Sequence, residues 1–435
     1  MQQLRSRLAA NKAGQQQGIY SVCSAHPLVI KAALRQARQD QSQLLIEATA
    51  NQVNQYGGYT GMKPADFIAF VTQLAVEEGV DSEQLLFGGD HLGPVCWQQD
   101  SAEVAMQKSE ALIASYVAAG FSKIHLDTSM GCADDPENLP DEVIAKRAAR
   151  LCQVAEQTAA EHGFAGQLLY VVGTEVPPPG GVSELESSLQ VTAVDDVDTT
   201  ISVHQEAFSQ QGLSDEVWSR VIAVVVQPGV EFDNDRVHPF EPVKASALSQ
   251  FIQQQPGLVY EAHSTDYQTA SAYQHLVRGH FAILKVGPQL TFALREALFA
   301  LAHIEQHLVP AEQCSNVIQV CLDRMNQQPD YWQRFYLAKG QELRFLQLFS
   351  YSDRIRYYWP QPELQHAVRQ LFDNLAGQQI PQPLLHQYLP QHALPEVSAE
   401  RQASAEDRVI QHIQRVVKRY AQACGTAESI EEKRL

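Results

Sequence analysis

An aspartate and a histidine stand side by side in the segment GGDHLGP, at Asp90 and His91. A neutral imidazole holds a divalent cation through one ring nitrogen, while a neighbouring carboxylate moves a proton. We therefore expect His91 to be a metal ligand and Asp90 to be a catalytic acid or base. A hydrogen-bonded structural role is an equally common alternative for any one such residue.

Two further residues, Glu175 and His263, also follow short apolar runs of the chain. Together with His91 they provide three ligands and leave open positions on a metal ion for substrate oxygens. Glu175 is also a second candidate for proton transfer. The residue types therefore predict a divalent metal site with an adjacent acid or base.

Lys285 has two plausible roles in such a site. A buried amine with a lowered pKa forms a Schiff base with a ketose. An ion pair with Glu47 or Glu261 is the alternative, and we favour it. In either role, Lys285 and Glu47 are expected where a substrate binds.

Phosphate binding is predicted for two segments that begin at Ser264 and Gly287. They follow the last two of eight candidate strands, LVYEAHS and FAILKVG. The loops after the last two strands of a barrel commonly bind phosphate. Ser264 and Thr265 offer hydroxyl groups, and Gly287 offers a backbone N–H. His125 and Asp127 share one strand face by a period of two, but one inward pair on a strand is common and predicts no function by itself.

These side chains need a scaffold that brings distant strand ends together. The chain has eight short apolar or β-branched runs with helical patterns between them, which is typical of parallel strands joined by crossover helices. The runs are GIYSVCS, LLIEAT, LLFGGD, KIHLDTS, LLYVVGTE, VIAVVVQ, LVYEAHS and FAILKVG. Because no G-x-G-x-x-G follows the first strand and no G-x-x-x-x-G-K-[ST] occurs, we prefer a (β/α)8 TIM-type barrel to an open sheet.

The predicted barrel spans residues 1–288, and residues 289–435 form a C-terminal helical extension packed on it. Within the extension, residues 331–360 mix aromatic side chains with arginines. This mixture suits a phosphate or protein contact, but we favour aromatic packing against the barrel.

Charge and cysteine content narrow the class of protein. The 32 Lys and Arg against 50 Asp and Glu give a net charge of −18, which argues against nucleic-acid and anionic-membrane partners. Seven scattered cysteines without a C-x-x-C pair favour a reducing compartment. The absence of an apolar signal region and of any run near the ~18 apolar residues of a membrane span makes cytoplasmic localisation the expectation.

Several long segments together resemble one family. They are SVCSAHPLVI, LIEATANQVNQYGGYTGMKPADF, GGDHLGPVCWQ, GFSKIHLDTSM, GTEVPPPGG, VVVQPGVEFD, EAHSTDYQT, HFAILKVGPQLTFALREALFAL and SDRIRYYWP. The chain is similar from about Gly18 through Tyr358 to the GatZ/KbaZ subunits of D-tagatose-1,6-bisphosphate aldolase, and KbaZ is the nearer of the two.

The resemblance implies a partner. Such subunits form a complex with a smaller catalytic Y subunit, a zinc-dependent class II aldolase, and support its activity and stability without being aldolases alone. The reaction is cleavage of tagatose 1,6-bisphosphate to dihydroxyacetone phosphate and glyceraldehyde 3-phosphate. The family has also been labelled a tagatose 6-phosphate kinase, and the missing glycine-rich nucleotide loops argue against that label.

The resemblance to true class II aldolases is partial at the site. Asp90-His91 matches their Asp-His at the third strand, and His263 matches a later histidine, so zinc is the metal expected here. Glu175 stands where those enzymes have a histidine, which argues against zinc aldolase activity. A metal-dependent sugar-phosphate enzyme in its own right, such as a ketose phosphate 4-epimerase, is the alternative function.

Overall fold

The barrel predicted from the sequence is confirmed by a computed structural model, which describes residues 1–173, 189–390 and 403–426. Eight parallel strands close into a barrel in the order β1-β2-β3-β4-β5-β6-β9-β10. Each predicted strand overlaps one barrel strand. The structure adds a small antiparallel pair, β7 and β8, which the sequence did not predict.

The strand bounds follow the chain. They are β1 Ile19–Val22, β2 Leu44–Thr49, β3 Leu85–Leu92, β4 Lys123–Leu126, β5 Leu169–Val172, β6 Val221–Val225, β7 Glu231–Phe232, β8 Val237–His238, β9 Val259–Ala262 and β10 Phe281–Val286.

The helices lie around the barrel and after it. They are α1 Gln2–Lys12, α2 Pro27–Asp40, α3 Pro64–Glu78, α4 Ala102–Ala119, α5 Asp141–Glu161, α6 Val194–Gln210, α7 Asp215–Trp218, α8 Ser246–Gln254, α9 Ala270–Arg278, α10 Pro288–Leu308, α11 Val317–Gln327, α12 Gly340–Phe349, α13 Pro362–Leu375, α14 Gln382–Tyr388 and α15 Ala405–Ala423. None of the helices in the described part of the chain combines the length and apolar composition needed to cross a membrane.

Proline and glycine set several helix ends. Pro27 and Pro64 each stand at the first position of a helix, where a missing N–H costs nothing. Gly79 ends α3 in the left-handed conformation at φ +67°, which glycine adopts without a steric penalty.

The inner face of the barrel changes from apolar to charged along the strands. Strand side chains alternate between two faces, so a residue two positions after an inward apolar residue also points inward. Leu45 is followed in this way by Glu47, and Ile283 by Lys285. The N-terminal end of the interior is thus apolar, and the C-terminal end carries the polar groups.

Helix α1 packs against the apolar end of the barrel interior. Leu4 and Leu8 are buried in one cluster with inward residues of the strands, among them Leu45 and Val259. Burying these leucines excludes water from this end. The polar end is left as the open mouth.

The helices after β10 return to the barrel wall. Helix α10 follows β10 directly, and α15 packs against α2, α9 and α10. The backbone N–H of Gly18 donates to the carbonyl of Cys424, which ties the end of α15 to the start of β1. The division of the chain at residue 288 stays a prediction.

Candidate functional site

A buried network of lysines and carboxylates fills the mouth of the barrel. Lys123 Nζ lies 2.7 Å from Glu47 Oε1 and 2.7 Å from Glu261 Oε2. Lys285 Nζ pairs with Glu47 and lies 2.9 Å from Asp90 Oδ1. All five side chains are buried, so the charges interact through a medium that screens them weakly.

Gly88 makes room for this network. It pairs with Glu47 across the β2–β3 ladder, and a Cβ atom at position 88 would lie 2.7 Å from Glu47 Cγ. The glycine therefore lets the Glu47 side chain lie inside the barrel.

The network fixes the protonation of its members. Burial alone would raise the pKa of Asp90, but His91 and Lys285 hold that pKa well below its ordinary value. Burial alone would lower the pKa of Lys285, but carboxylates led by Asp90 hold it well above its ordinary value. Lys285 is therefore a charged ammonium ion in an ion pair, as we favoured, and not the neutral amine that a Schiff base requires.

Three imidazoles surround Asp90. The ring centroids of His91, His125 and His263 lie 5.0 to 5.3 Å apart. His91 has φ +49°, an unusual backbone conformation for a residue other than glycine, and such strain is typical of functional sites.

Each imidazole has a nitrogen in contact with a carboxylate. His91 Nδ1 lies 2.6 Å from Asp127 Oδ2, and His263 Nε2 lies 2.9 Å from Glu261 Oε1. His125 Nδ1 lies 3.0 Å from Asp90 Oδ1. Because these carboxylates orient the rings of His91 and His263, the second nitrogens of those two rings are preset for a ligand or substrate. His125 Nε2 contacts the Gly173 carbonyl at 3.0 Å, which leaves Nδ1 as the ligand atom of that ring.

The pKa values of the histidines differ. Burial lowers the pKa of His263 to about 4, so its ring is neutral near pH 7. Burial also opposes protonation of His91, but the carboxylates of Asp90 and Asp127 outweigh it and raise the pKa of His91. The mouth therefore contains a neutral imidazole suited to a metal and a more basic one suited to proton transfer.

The donor groups fit a divalent cation. Asp90, His125, Glu261 and His263 each offer a ligand atom, and these atoms all lie within 4.8 Å of one another. The mixed imidazole and carboxylate donors suit zinc and related metals. Of the two histidines predicted as ligands, this set includes His263. His91 lies beside the set, with its Nε2 3.7 Å from Asp90 Oδ2.

The charge balance also fits a divalent cation. Four buried carboxylates belong to the mouth, and two ammonium groups oppose them, so negative charge remains in excess even when His91 carries a proton. The six residues are Glu47, Asp90, Asp127, Glu261, Lys123 and Lys285. An uncompensated buried charge is costly, and a divalent cation would balance this one.

A cavity of about 580 Å³ opens from this cluster, a size that is typical of small-molecule sites. Asp90, His91, His263 and Lys285 line its inner end. Its outer walls come from the loops after β1 and β2, and from the segment around Arg356 in the helical extension.

The predicted phosphate ligands are engaged within the protein. Thr265 Oγ1 donates to the Lys285 carbonyl at 2.6 Å, and the Gly287 N–H donates to Asp266 Oδ1 at 3.1 Å. Ser264 lines the cavity at φ +50°. Of the groups proposed after the last two strands, Ser264 and Gly287 lie on the cavity wall, and the Ser264 side chain interacts with the Glu231 carboxylate.

Glu175 lies outside the described residues. The structure nevertheless supplies a third imidazole at the mouth, from His125 on β4, to which the sequence assigned no function. Asp127, two positions later, holds His91. The spacing of two residues between His125 and Asp127 was the signal in the sequence that could have identified them as site residues. It places both side chains on the inner face of a strand, and the end of that strand lies beside Asp90 and His91.

Comparisons with known proteins agree with this architecture. A family model described as D-tagatose-1,6-bisphosphate aldolase subunit GatZ/KbaZ-like matches residues 4–425. The crystal structure of a probable tagatose 6-phosphate kinase from Sinorhizobium meliloti is 44% identical, covers 94% of this chain and 100% of its own, and superposes with a TM-score of 0.86.

Two aldolase structures are more distant. The YdjI aldolase of Escherichia coli is 10% identical with a TM-score of 0.40, covering 83% of this chain and 94% of its own. A fructose-bisphosphate aldolase of Campylobacter jejuni is 13% identical with a TM-score of 0.42, covering 86% of this chain and 91% of its own.

Proposed function

The chain belongs to the GatZ/KbaZ-like family of D-tagatose-1,6-bisphosphate aldolase subunits, and on this premise we propose that it is the accessory subunit of such an aldolase. It binds the catalytic class II Y subunit and supports the activity and stability of that subunit. The observation that carries the proposal is the family match across residues 4–425. The pathway is the breakdown of tagatose 6-phosphate formed from galactosamine or galactitol.

Within the complex, the barrel mouth is a site for the sugar phosphate. The reaction supported is the cleavage of tagatose 1,6-bisphosphate to dihydroxyacetone phosphate and glyceraldehyde 3-phosphate. A cavity of about 580 Å³ with charged and imidazole groups at its inner end supports a polar small-molecule ligand.

Co-expression tests the accessory role. The chain alone, the Y subunit alone and the mixture are assayed for aldolase activity, soluble yield and half-life, with metal content measured in each. We expect full activity and a long half-life from the mixture. A Y subunit that is equally soluble, long-lived and active without this chain contradicts the proposal.

A variant of the mouth separates support from catalysis. Asp90→Asn keeps the shape of the side chain but removes its charge. If the chain acts only by binding its partner, Asp90→Asn supports the Y subunit as well as the unmodified chain does.

A second candidate function is favoured by the three imidazoles beside Asp90. A chain that only stabilises a partner has no need of a buried acid, three histidines and two lysines in one cavity. We therefore also propose, as the alternative, a metal-dependent enzyme acting on a sugar phosphate, such as a ketose phosphate 4-epimerase that works by retro-aldol and aldol steps.

The residues of the chain have defined tasks in this alternative. A divalent cation held by Asp90, His125, Glu261 and His263 would supply charge that polarises a ketone. His91, whose pKa is raised, is placed to exchange a proton with the substrate, while Asp127 holds its ring. Lys285 keeps Asp90 ionised.

The enzymatic alternative has its own test. The purified chain is analysed for metal and assayed on tagatose 6-phosphate, together with His91→Ala. Turnover that falls at least about 100-fold in His91→Ala supports it; a chain without metal and without turnover contradicts it. Phosphoryl transfer is not proposed, because the sequence has neither of the usual glycine-rich nucleotide loops.

A further inference from the structure

The cavity at the barrel mouth has a second cationic wall, formed by Arg356 of the helical extension. Arg356 belongs to the SDRIRYYWP segment, for which the sequence left a phosphate contact as one alternative. Arg354 of the same segment is buried over the ring of Phe335 and donates to the Tyr331 carbonyl at 3.1 Å. The two arginines therefore differ: Arg354 packs inside the extension, and Arg356 lines the cavity.

The guanidinium of Arg356 is held in place by neutral groups. Nη1 donates to the carbonyls of Ser352 and Asp353, and Nη2 donates to the Tyr357 hydroxyl at 2.9 Å. The guanidinium carbon also lies 4.4 Å from the centre of the Tyr357 ring. A guanidinium has five N–H donors, so these bonds leave Nε–H and one Nη2–H, two donors on adjacent nitrogens that suit a phosphate.

Arg356 interacts with the carboxylates of Asp266 and Asp353 only at a distance. Arg295, nearby in the extension, has its Nε 3.0 Å from Asp353 Oδ1. In the part of the chain that the structure describes, no carboxylate oxygen lies within 4.0 Å of the Arg356 nitrogens. The cavity thus contains a fixed positive charge without a direct ion pair among the described residues.

The other cation on the wall of the inner end is already paired. Lys285 contacts Glu47 and Asp90, and the cluster around it has an excess of negative charge. A phosphate dianion placed against these carboxylates would be repelled by them, and the carboxylates and imidazoles at this end are instead the donors for a cation. The Gly287 N–H, the other predicted donor, is bound to Asp266. A phosphate in this cavity is therefore favoured at Arg356 and disfavoured at the inner end.

We infer that Arg356 binds the phosphate group of a phosphorylated ketose whose carbonyl end lies against Asp90 and the three imidazoles. The two ends of the cavity then have different roles. The helical extension binds the phosphate of the sugar, and the barrel strands bind its reactive end. The inference rests on the proposed function for the identity of the sugar, and on the cavity alone for the phosphate.

Calorimetric titration tests the inference on the full chain. The probes are D-tagatose 6-phosphate, D-fructose 6-phosphate and inorganic phosphate, each titrated into the unmodified chain and into Arg356→Ala. We expect Arg356→Ala to weaken binding of D-tagatose 6-phosphate at least about tenfold, because a charge-assisted pair of hydrogen bonds is lost. Arg356→Lys keeps the charge but not the planar pair of donors, so its affinity for D-tagatose 6-phosphate is expected to lie between those of the unmodified chain and Arg356→Ala.

Arg344 on α12 provides the matched control, because it is an exposed arginine outside the cavity. Arg344→Ala is expected to bind every probe as the unmodified chain does. Thermal unfolding checks that the variants are folded. If Arg356→Ala is not folded, the test compares the affinity of Arg356→Lys for D-tagatose 6-phosphate with that of Arg344→Lys.

The outcomes separate the inference from the proposed function. Binding of inorganic phosphate or D-fructose 6-phosphate that depends on Arg356, without binding of D-tagatose 6-phosphate, contradicts the proposed sugar and supports the phosphate site. Equal affinity of the unmodified chain and Arg356→Ala for all three probes overturns the inference. So does a folded unmodified chain that binds none of them.

Discussion

His91 Nδ1 lies 2.6 Å from Asp127 Oδ2, and this contact joins the end of β3 to the residue that follows β4. A carboxylate on one ring nitrogen fixes both the tautomer and the orientation of an imidazole. The contact therefore presents the other nitrogen of His91, Nε2, to the site, next to Asp90.

Asp127→Asn tests the electrostatic part of this contact. The carboxylate contributes to the raised pKa of His91, so the neutral amide should let His91 titrate at a lower pH. Nitrogen-15 labelling of the histidines and NMR titration of the chain and the variant measure the change. Asp135→Asn, which removes a carboxylate paired with Arg147 away from the three imidazoles, is the control. An unchanged titration of His91 in Asp127→Asn would contradict the prediction.

His125→Ala tests the metal site that the structure indicates. Removal of one imidazole from the donor set should weaken zinc binding at least about tenfold, as a lost ligand or its support does. Zinc affinity is measured by competition with a chelator. His204→Ala is the matched control, since His204 is buried on α6 and contacts the Thr200 carbonyl. Equal zinc affinity in the two variants would argue that His125 is not a ligand.

Lys123→Met tests the buried ion network. The substitution leaves Glu47 and Glu261 with less compensation for their charges, and breaking such a pair costs about 3–5 kcal/mol in free energy of unfolding. The double variant Lys123→Met with Glu261→Gln should recover part of this loss, because one unpaired carboxylate is gone. Urea denaturation measures both. A loss below about 1 kcal/mol in the single variant would show that the charges are solvated by other means.

Glu231→Gln tests a pH dependence of stability. Burial raises the pKa of Glu231 to about 7 in the folded chain, against an ordinary value of 4.5. The folded state then keeps its proton where the unfolded state loses it, so this residue lowers stability as the pH rises through that window.

The variant removes that penalty. Relative to the unmodified chain, the free energy of unfolding of Glu231→Gln should increase by about 2 kcal/mol more at pH 8.5 than at pH 5.5. Urea denaturation at the two pH values measures it, and the exposed Glu83→Gln is the control. A gain that does not depend on pH would mean that Glu231 is ionised in the folded chain.

Gly93→Ala tests the junction between the ends of β3 and β4. A Cβ atom at position 93 would lie 1.7 Å from the Asp127 carbonyl oxygen, so the backbone that positions Asp127 must move. Overpacking of this kind costs about 1–3 kcal/mol or more. Gly131→Ala is the control, because the nearest atom to its Cβ would be 3.8 Å away. Chemical denaturation compares the two, and equal stability would contradict the prediction.

The sequence by itself determined the barrel and the end of it at which the candidate site lies. The strand runs and the helical patterns between them depend on local preferences and on a period of two or 3.6 residues, both of which are visible in one chain. The polar residues at strand ends, such as Asp90 and His263, then had to meet at one mouth, because parallel barrel strands all end on the same side.

Only the tertiary structure decided which of these residues lie in contact. His125 and Asp127 looked like an ordinary inward pair, and their importance depends on the register that brings β4 beside Asp90-His91. Thr265 and Gly287 looked like phosphate ligands, but their donors are taken by the Lys285 carbonyl and by Asp266. Arg356 reaches the cavity only because the helical extension folds back over the mouth, and no local pattern records a contact between parts of the chain so far apart in sequence.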